Sequence, residues 1–187
     1  HFPGHGAVVA DSHVALPVDR RELVDLEAEL RPYRRLIANG LPSVMAAHVV
    51  FPAVDDLPAS LSRRWIEGVL RGDLDFRGAV FTDDLSMAGA KHFGDVVRRA
   101  ELALAAGCDV LPICNDRAAV VDLLKRLDAR PEPVRALRTA RLHGRGPAPD
   151  LATRELLFAS DTWRRCTAAL GRCLDAPPDL SLDGEVT

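Results

Sequence analysis

Three short apolar runs, each closed by polar residues and each followed by a helix-like segment, set the tightest limit on what this chain can become. They occupy residues 43–51, 78–81 and 108–114, and polar groups close them at about positions 48–52, 83 and 115. That spacing of roughly 30–35 residues is the size of one strand-plus-helix unit. The runs are apolar throughout instead of alternating, which is how strands buried on both faces of a parallel sheet read. Alternating strands and helices of this kind predict an α/β fold, either an open doubly wound sheet or a (β/α)8 barrel. A complete barrel takes about 250 residues and eight strands. With 187 residues and three legible strands, a barrel would be represented here by its later part, with its helices and two open sheet edges.

The intervening segments support the same division. Residues 20–38 place Leu23, Leu26, Leu30, Tyr33, Leu36 and Ile37 on one helical face. Pro32 falls inside that pattern and predicts a kink or break near Arg31, and Asn39-Gly40 a left-handed stop. Ser60 and Ser62 offer caps for a helix over 60–71. Further helices are expected over 95–106, stopped by Gly107, and over 117–127. Beyond Pro131 the prolines and glycines multiply, leaving short helices near 134–142, 151–158 and 161–174. The expected organisation is a partial (β/α)8 barrel over 1–130, C-terminal helices packed on it over 131–174, and a disordered tail over 175–187.

Composition removes several function classes. A net charge of −3 gives no electrostatic reason to expect nucleic acid or an anionic membrane as partner. No apolar run approaches the roughly 18–20 residues of a membrane helix. Cys108, Cys114, Cys166 and Cys173 form no CxxC pair; they read as reduced thiols of a cytoplasmic protein. No HExxH, GxGxxG or GxxxxGK[ST] occurs, so neither a metal nor a nucleotide cofactor is expected. The chain opens at His1, without an initiator Met and inside a loop rich in chemistry, which reads as a truncated sequence.

That loop holds His1, His5, Asp11 and His13 among Pro3, Gly4 and Gly6, which exclude a regular helix. Asp11 and His13 lie two apart, so an extended backbone turns both side chains the same way. A carboxylate beside an imidazole fixes its tautomer and makes a proton-transfer pair. The plainer reading is a polar surface loop. Reactive groups of parallel α/β folds gather at the carboxyl ends of strands; His48 and Asp83-Asp84 lie at such ends. Only one of the two adjacent acids can readily face a shared site, leaving the other to cap the next turn, and periodicity does not choose between them. A hydrolase with a carboxylate nucleophile and Asp11–His13 moving protons accounts for the set. A metal-dependent hydrolase is a weaker alternative.

The segments HFPGHG, DSH, VMAAHV, FTDDLSMAGA and AAGCDVLPICN, in this order, resemble the bacterial β-N-acetylhexosaminidases of glycoside hydrolase family 3, the peptidoglycan-recycling type. The resemblance covers nearly the whole chain and implies the C-terminal half of a (β/α)8 barrel. It implies retaining hydrolysis of terminal β-linked N-acetylglucosamine from muropeptides without a cofactor, and by correspondence Asp83 as nucleophile. It implies His13 as acid/base oriented by Asp11, where retaining enzymes usually pair two carboxylates, and His1 and His48 as sugar-binding residues. The full-length protein is expected to be a monomer. Where the family usually has proline and glycine, this chain has Ala46-Ala47 and Asp75. The family's first strands, with their substrate-gripping Asp and Arg, precede HFPGHG and are absent. The rival reading is therefore a truncated, inactive fragment.

Overall fold

In the computed structural model, the described residues are 1–10, 12, 14–130, 132–144 and 151–173. The tail expected over 175–187 lies outside them. The chain divides into two units, His1–His143 and Gly144–Thr187.

The first unit is built on parallel pairing. Strand β1 (Ser43–Ala46) lies beside β4 (Ala79–Thr82) in parallel register, Val44 opposite Val80 and Ala46 opposite Thr82. Single parallel bridges extend the pair on both sides, Phe2 to Ala46 and Phe81 to Val110. The spatial order is thus Phe2, β1, β4, Val110, an α/β arrangement of mixed helix and strand. Val44, Ala46, Val80 and Thr82 are buried, whereas Ser43, Met45 and Phe81 are partly open. One face of the sheet is buried throughout, and the other is partly open although Ala79 on it is buried.

Around the sheet run helices α1 (Glu27–Ala38), α2 (Ala88–Lys91), α3 (Val96–Ala106), α4 (Arg117–Arg126) and α5 (Pro133–Ala140). Local chemistry sets their ends. Asp95 accepts from the Arg98 amide at 2.9 Å and Asp116 from the Ala119 amide at 2.9 Å, each satisfying a first-turn donor. Gly107 closes α3 at φ +105°, a left-handed conformation that costs a glycine little.

Several local expectations change. Residues 43–51 do not form one strand: β1 stops at Ala46, and β2 (Val50–Phe51) pairs antiparallel with β3 (Asp55–Pro58). An apolar run shows burial, not where a ladder ends. Among the described residues, 108–114 contribute the single bridge at Val110 and no regular strand, and Pro112 lacks the amide donor a continued ladder would use. The helix expected over 60–71 is a 3-10 turn at Ala59–Leu61 followed by a π helix at Arg64–Asp73. The Leu74 amide bonds Val69 O, five residues back, at 2.9 Å. Helix α1 continues through Pro32 without a break near Arg31, since proline removes only one donor of the ladder. Asn39-Gly40 does stop it, with Gly40 at φ +83°. Asp75, standing where the family usually has glycine, adopts φ +55°.

The core is anchored by aromatic rings. Phe2 is fully buried, edge-on to Tyr33 at 5.2 Å and to Trp65 at 5.8 Å, and Trp65 meets Phe51 at 5.1 Å. With Phe2 also bonded through its backbone to Met45 O (2.7 Å) and the Ala47 amide (2.8 Å), His1 is delivered to the carboxyl end of the sheet.

The second unit contains α6 (Leu151–Ala159) and α7 (Asp161–Cys173). They meet through Phe158 and Trp163, 4.8 Å apart, and Ser160 Oγ accepts from the Trp163 amide at 3.1 Å as a cap.

Candidate active site

Residue 83 follows β4 directly. Its amide donates to Ala46 O at 3.0 Å, so the neighbouring strand fixes its backbone. The Asp83 side chain is 10% exposed; its Oδ1 accepts from the Asp84 amide at 2.9 Å and its Oδ2 meets His1 Nε2 at 3.2 Å. Burial pushes the Asp83 carboxyl up, but hydrogen bonds from His1 and the Asp84 amide, with the charge of His1, bring it below the ordinary carboxylate value. In return, the Asp83 hydrogen bond raises the His1 pKa, partly opposed by burial. The pair is therefore poised as imidazolium and carboxylate at mildly acid pH.

Asp84 is spent differently. Its carboxylate accepts from the Ser86 amide at 2.8 Å, from Ser86 Oγ at 2.7 and 2.8 Å, and from the Cys114 amide at 3.1 Å. The acid that periodicity left undecided is thus divided by geometry: Asp84 ties the turn after β4 to the Cys114 segment, and Asp83 keeps an oxygen facing a half-exposed imidazole.

His48 is fully buried, with Nδ1 2.6 Å from Ser60 Oγ and Nε2 2.9 Å from Asp84 O. Burial is the main cause of its lowered pKa, partly offset by Asp83 and the Asp84 carbonyl. Asp11 and His13 lie outside the described residues. Ser12, between them in sequence, is buried, and its carbonyl accepts from the Gly89 amide at 3.2 Å, attaching Ser12 to α2. Among the described residues, His5 has no contact that gives it a role. The site therefore brings His1 and Asp83 together, with His48 behind them. Among the described residues, no group of three His, Cys, Asp or Glu side chains could hold a metal ion, and no helix is long and apolar enough to cross a membrane.

Sequence reasoning misses Ser60 as part of the site, whereas it already expects one of the two adjacent acids to cap the next turn, as Asp84 does. In sequence Ser60 offers only a helix cap, and its partner His48 is 12 residues away in the chain.

A carboxylate at the carboxyl end of a parallel strand, part-buried and faced by an imidazole, is the layout of an α/β enzyme site. The chain belongs to glycosyl hydrolase family 3: residues 1–140 match that family's N-terminal domain. It is 46% identical over 183 residues to a beta-hexosaminidase of Thioalkalivibrio sulfidiphilus, covering 98% of this chain and 51% of that protein. It is 51% identical over 146 residues to the beta-hexosaminidase of Thiobacillus denitrificans, covering 77% of this chain and 40% of that one. The structure of NagZ from Neisseria gonorrhoeae in complex with N-trifluoroacetyl-D-glucosamine superposes with a TM-score of 0.75 at 35% identity, over 90% of this chain and 47% of that chain. A family 3 beta-N-acetylglucosaminidase from Paenibacillus sp. gives a TM-score of 0.67 at 36% identity, over 81% and 32%. The chain spans about half the length of the first of these curated relatives.

Proposed function

We propose that this chain is the carboxyl-terminal part of a (β/α)8 barrel that removes terminal β-linked N-acetylglucosamine with retention. Its substrates are muropeptides of cell-wall recycling in the cytoplasm, and it works as a monomer without metal or cofactor. The observation that carries the reading is the unequal use of the two adjacent acids. Asp83 retains an oxygen directed at the solvent-facing His1, as a nucleophile requires, while both Asp84 oxygens are engaged in the turn by Ser86 and Cys114.

In this reading Asp83 attacks the anomeric carbon and forms a glycosyl ester as the aglycone oxygen departs. Its depressed pKa keeps it ionised for that step. His13, oriented by Asp11, donates a proton to the leaving oxygen and then, as the free base, takes one from the water that cleaves the ester. The attachment of Ser12 to Gly89 supports this, because it holds the residue between Asp11 and His13 in sequence against the segment that follows Asp83. His1, next to the nucleophile, contacts the sugar. The domain reading is a partial barrel over 1–130 with C-terminal helices over 131–174.

The experiment is trapping with a slow fluorinated N-acetylglucosamine analogue in the protein extended to its relatives' full length. Mass spectrometry should place the label on Asp83; a label on any other residue removes the assignment. A second reading, that these 187 residues alone are inactive, is favoured by the partly open face at Ser43, Met45 and Phe81. The isolated chain should give no turnover of a chromogenic N-acetylglucosaminide, and turnover by it would refute this second reading.

A further inference from the structure

His48 shows no free valence for a sugar. It is fully buried and both ring nitrogens are engaged, Nδ1 with Ser60 Oγ at 2.6 Å and Nε2 with the Asp84 carbonyl at 2.9 Å. A carbonyl oxygen only accepts, so Nε2 must carry a proton. In the neutral ring Nδ1 is then an acceptor, and the Ser60 hydroxyl donates to it. Burial favours that neutral form.

Ser60 is itself held. Its amide donates to Ala47 O at 3.0 Å and its carbonyl accepts from Cys108 Sγ at 3.3 Å. The relay therefore runs from a fixed serine, through a fixed imidazole, to the backbone of residue 84. That residue has little freedom left. Its carboxylate is tied to Ser86 and Cys114, its carbonyl to His48, and its amide donates to Asp83 Oδ1 at 2.9 Å. The amide is the group that orients the carboxylate oxygen turned away from His1.

We propose that His48 is a positioning residue. As a neutral Nε2–H imidazole it clamps the Asp84 carbonyl, keeping the Asp84 amide aimed at Asp83 Oδ1, and it does not touch the sugar. This rests on Asp83 being the nucleophile and replaces the sugar-binding role that family resemblance implied for His48. An unfixed residue 84 would let the Asp83 carboxylate rotate, and misplacements near 1 Å cost about 100-fold in rate.

The test uses the enzyme at its relatives' full length. Long-range proton–nitrogen NMR correlation should show His48 as the neutral Nε2–H tautomer; a cation or an Nδ1–H tautomer at neutral pH overturns the proposal. In kinetics, His48→Leu should lower kcat by about 10–100-fold with KM within about twofold. His48→Gln, whose amide nitrogen can still reach the carbonyl, should recover most of that loss. Ser60→Ala, which leaves the imidazole in place but unoriented, should lose kcat in the same direction by less, and serves if His48→Leu does not fold. A raised KM with unchanged kcat in the folded variants would mean a sugar contact and would overturn the proposal. Trapping on a residue other than Asp83 would remove the nucleophile assignment while leaving the tautomer intact; the wrong tautomer with label on Asp83 would remove only the role of His48.

Discussion

Both ends of the parallel strands hold buried charge, and they differ in whether that charge is used up. At the amino end, Asp109 has a side chain only 1% exposed, and it accepts from Arg71 at 2.9 Å, Arg138 at 3.2 Å and the Val80 amide at 2.8 Å. Arg71 donates in turn to the carbonyls of Phe76, Gly78 and Gly107, which lie just before the strands begin. Burial and Arg138 work against its charge, and Asp109 and Glu67 support it. At the carboxyl end, Asp83 accepts one backbone amide and faces one half-exposed imidazole. Two carboxylates of the same type, both buried, therefore have different fates. On the proposed assignment of Asp83 as nucleophile, the density of ionisable groups does not mark the reactive end; unspent bonding capacity does.

Exchanging each aspartate for its amide breaks that comparison most sharply. Asp83→Asn, in the enzyme at full length, should cost on the order of 10⁴-fold in kcat, the scale expected for losing a covalent nucleophile. Its melting temperature should move by no more than about 2 °C. Asp109→Asn should do the reverse. Removing one partner of a buried ion pair leaves Arg71 uncompensated and costs about 3–5 kcal/mol, roughly 6–20 °C for a domain of this size. The fraction that stays folded should keep its kcat. Thermal unfolding and steady-state kinetics on both variants decide it. Should Asp109→Asn abolish turnover in folded protein, or Asp83→Asn unfold it, the two ends would not be different in kind.

The amino-end cluster also shows what the sequence conceals. Nothing near Arg71 or Asp109 marks them as partners, since they are 38 residues apart and each looks like an ordinary surface charge. The carboxyl end was more legible. Strands covered on both faces are written as unbroken apolar runs, so the polar residue that ends one stands out, as Asp83 does. The helix stop at Gly107 is local and equally readable, whereas the caps at Asp95 and Asp116 emerge only in the structure. Legibility failed where a tertiary partner decides the backbone. The 43–51 run gives no sign that its ladder ends at Ala46, and the distinction between Asp83 and Asp84 depends on Cys114, 30 residues from Asp84. The π helix over Arg64–Asp73 was invisible for a related reason: its apolar spacing suits an α helix equally well.

A smaller effect tests how loosely the carboxyl end is tied. His1 has a raised pKa, so its stabilisation is complete below the ordinary value of 6.5 and is lost as pH rises through the raised value. Asp83 has a lowered pKa, so its share is complete above 3.8 and is lost as pH falls through the lowered value. The ion pair thus contributes only between those two limits. Because the His1 side chain is 46% exposed, solvent screens it, and its worth is at most about 1 kcal/mol. His1→Ala should therefore be less stable than the parent by up to that amount near pH 6 and indistinguishable from it near pH 9, with the gap narrowing as salt is added. Urea unfolding across pH and ionic strength measures this. A constant gap at all pH values would make His1 a packing contact and not an ionic one.

An effect of similar size on stability, with none on turnover, lies at the amino end, in the turn that leads into β4. Asp75 stands at φ +55° between the buried Leu74 and Phe76, and its exposed carboxylate pairs with Arg77. A left-handed conformation costs an ordinary side chain about 1–2 kcal/mol, and aspartate less, because its short polar group can bond locally. Asp75→Ala should accordingly lose about 1 kcal/mol. Asp75→Gly should fall within about 0.5 kcal/mol of the parent, since relief of the backbone is offset by the entropy a glycine loses on folding. Neither change should alter kcat in folded enzyme, because this turn precedes the strand whose far end carries Asp83. Chemical denaturation of the two variants resolves the order. If alanine proved as stable as glycine, the turn would not be holding a left-handed residue in solution; if either variant lowered kcat, the two ends would be coupled through β4.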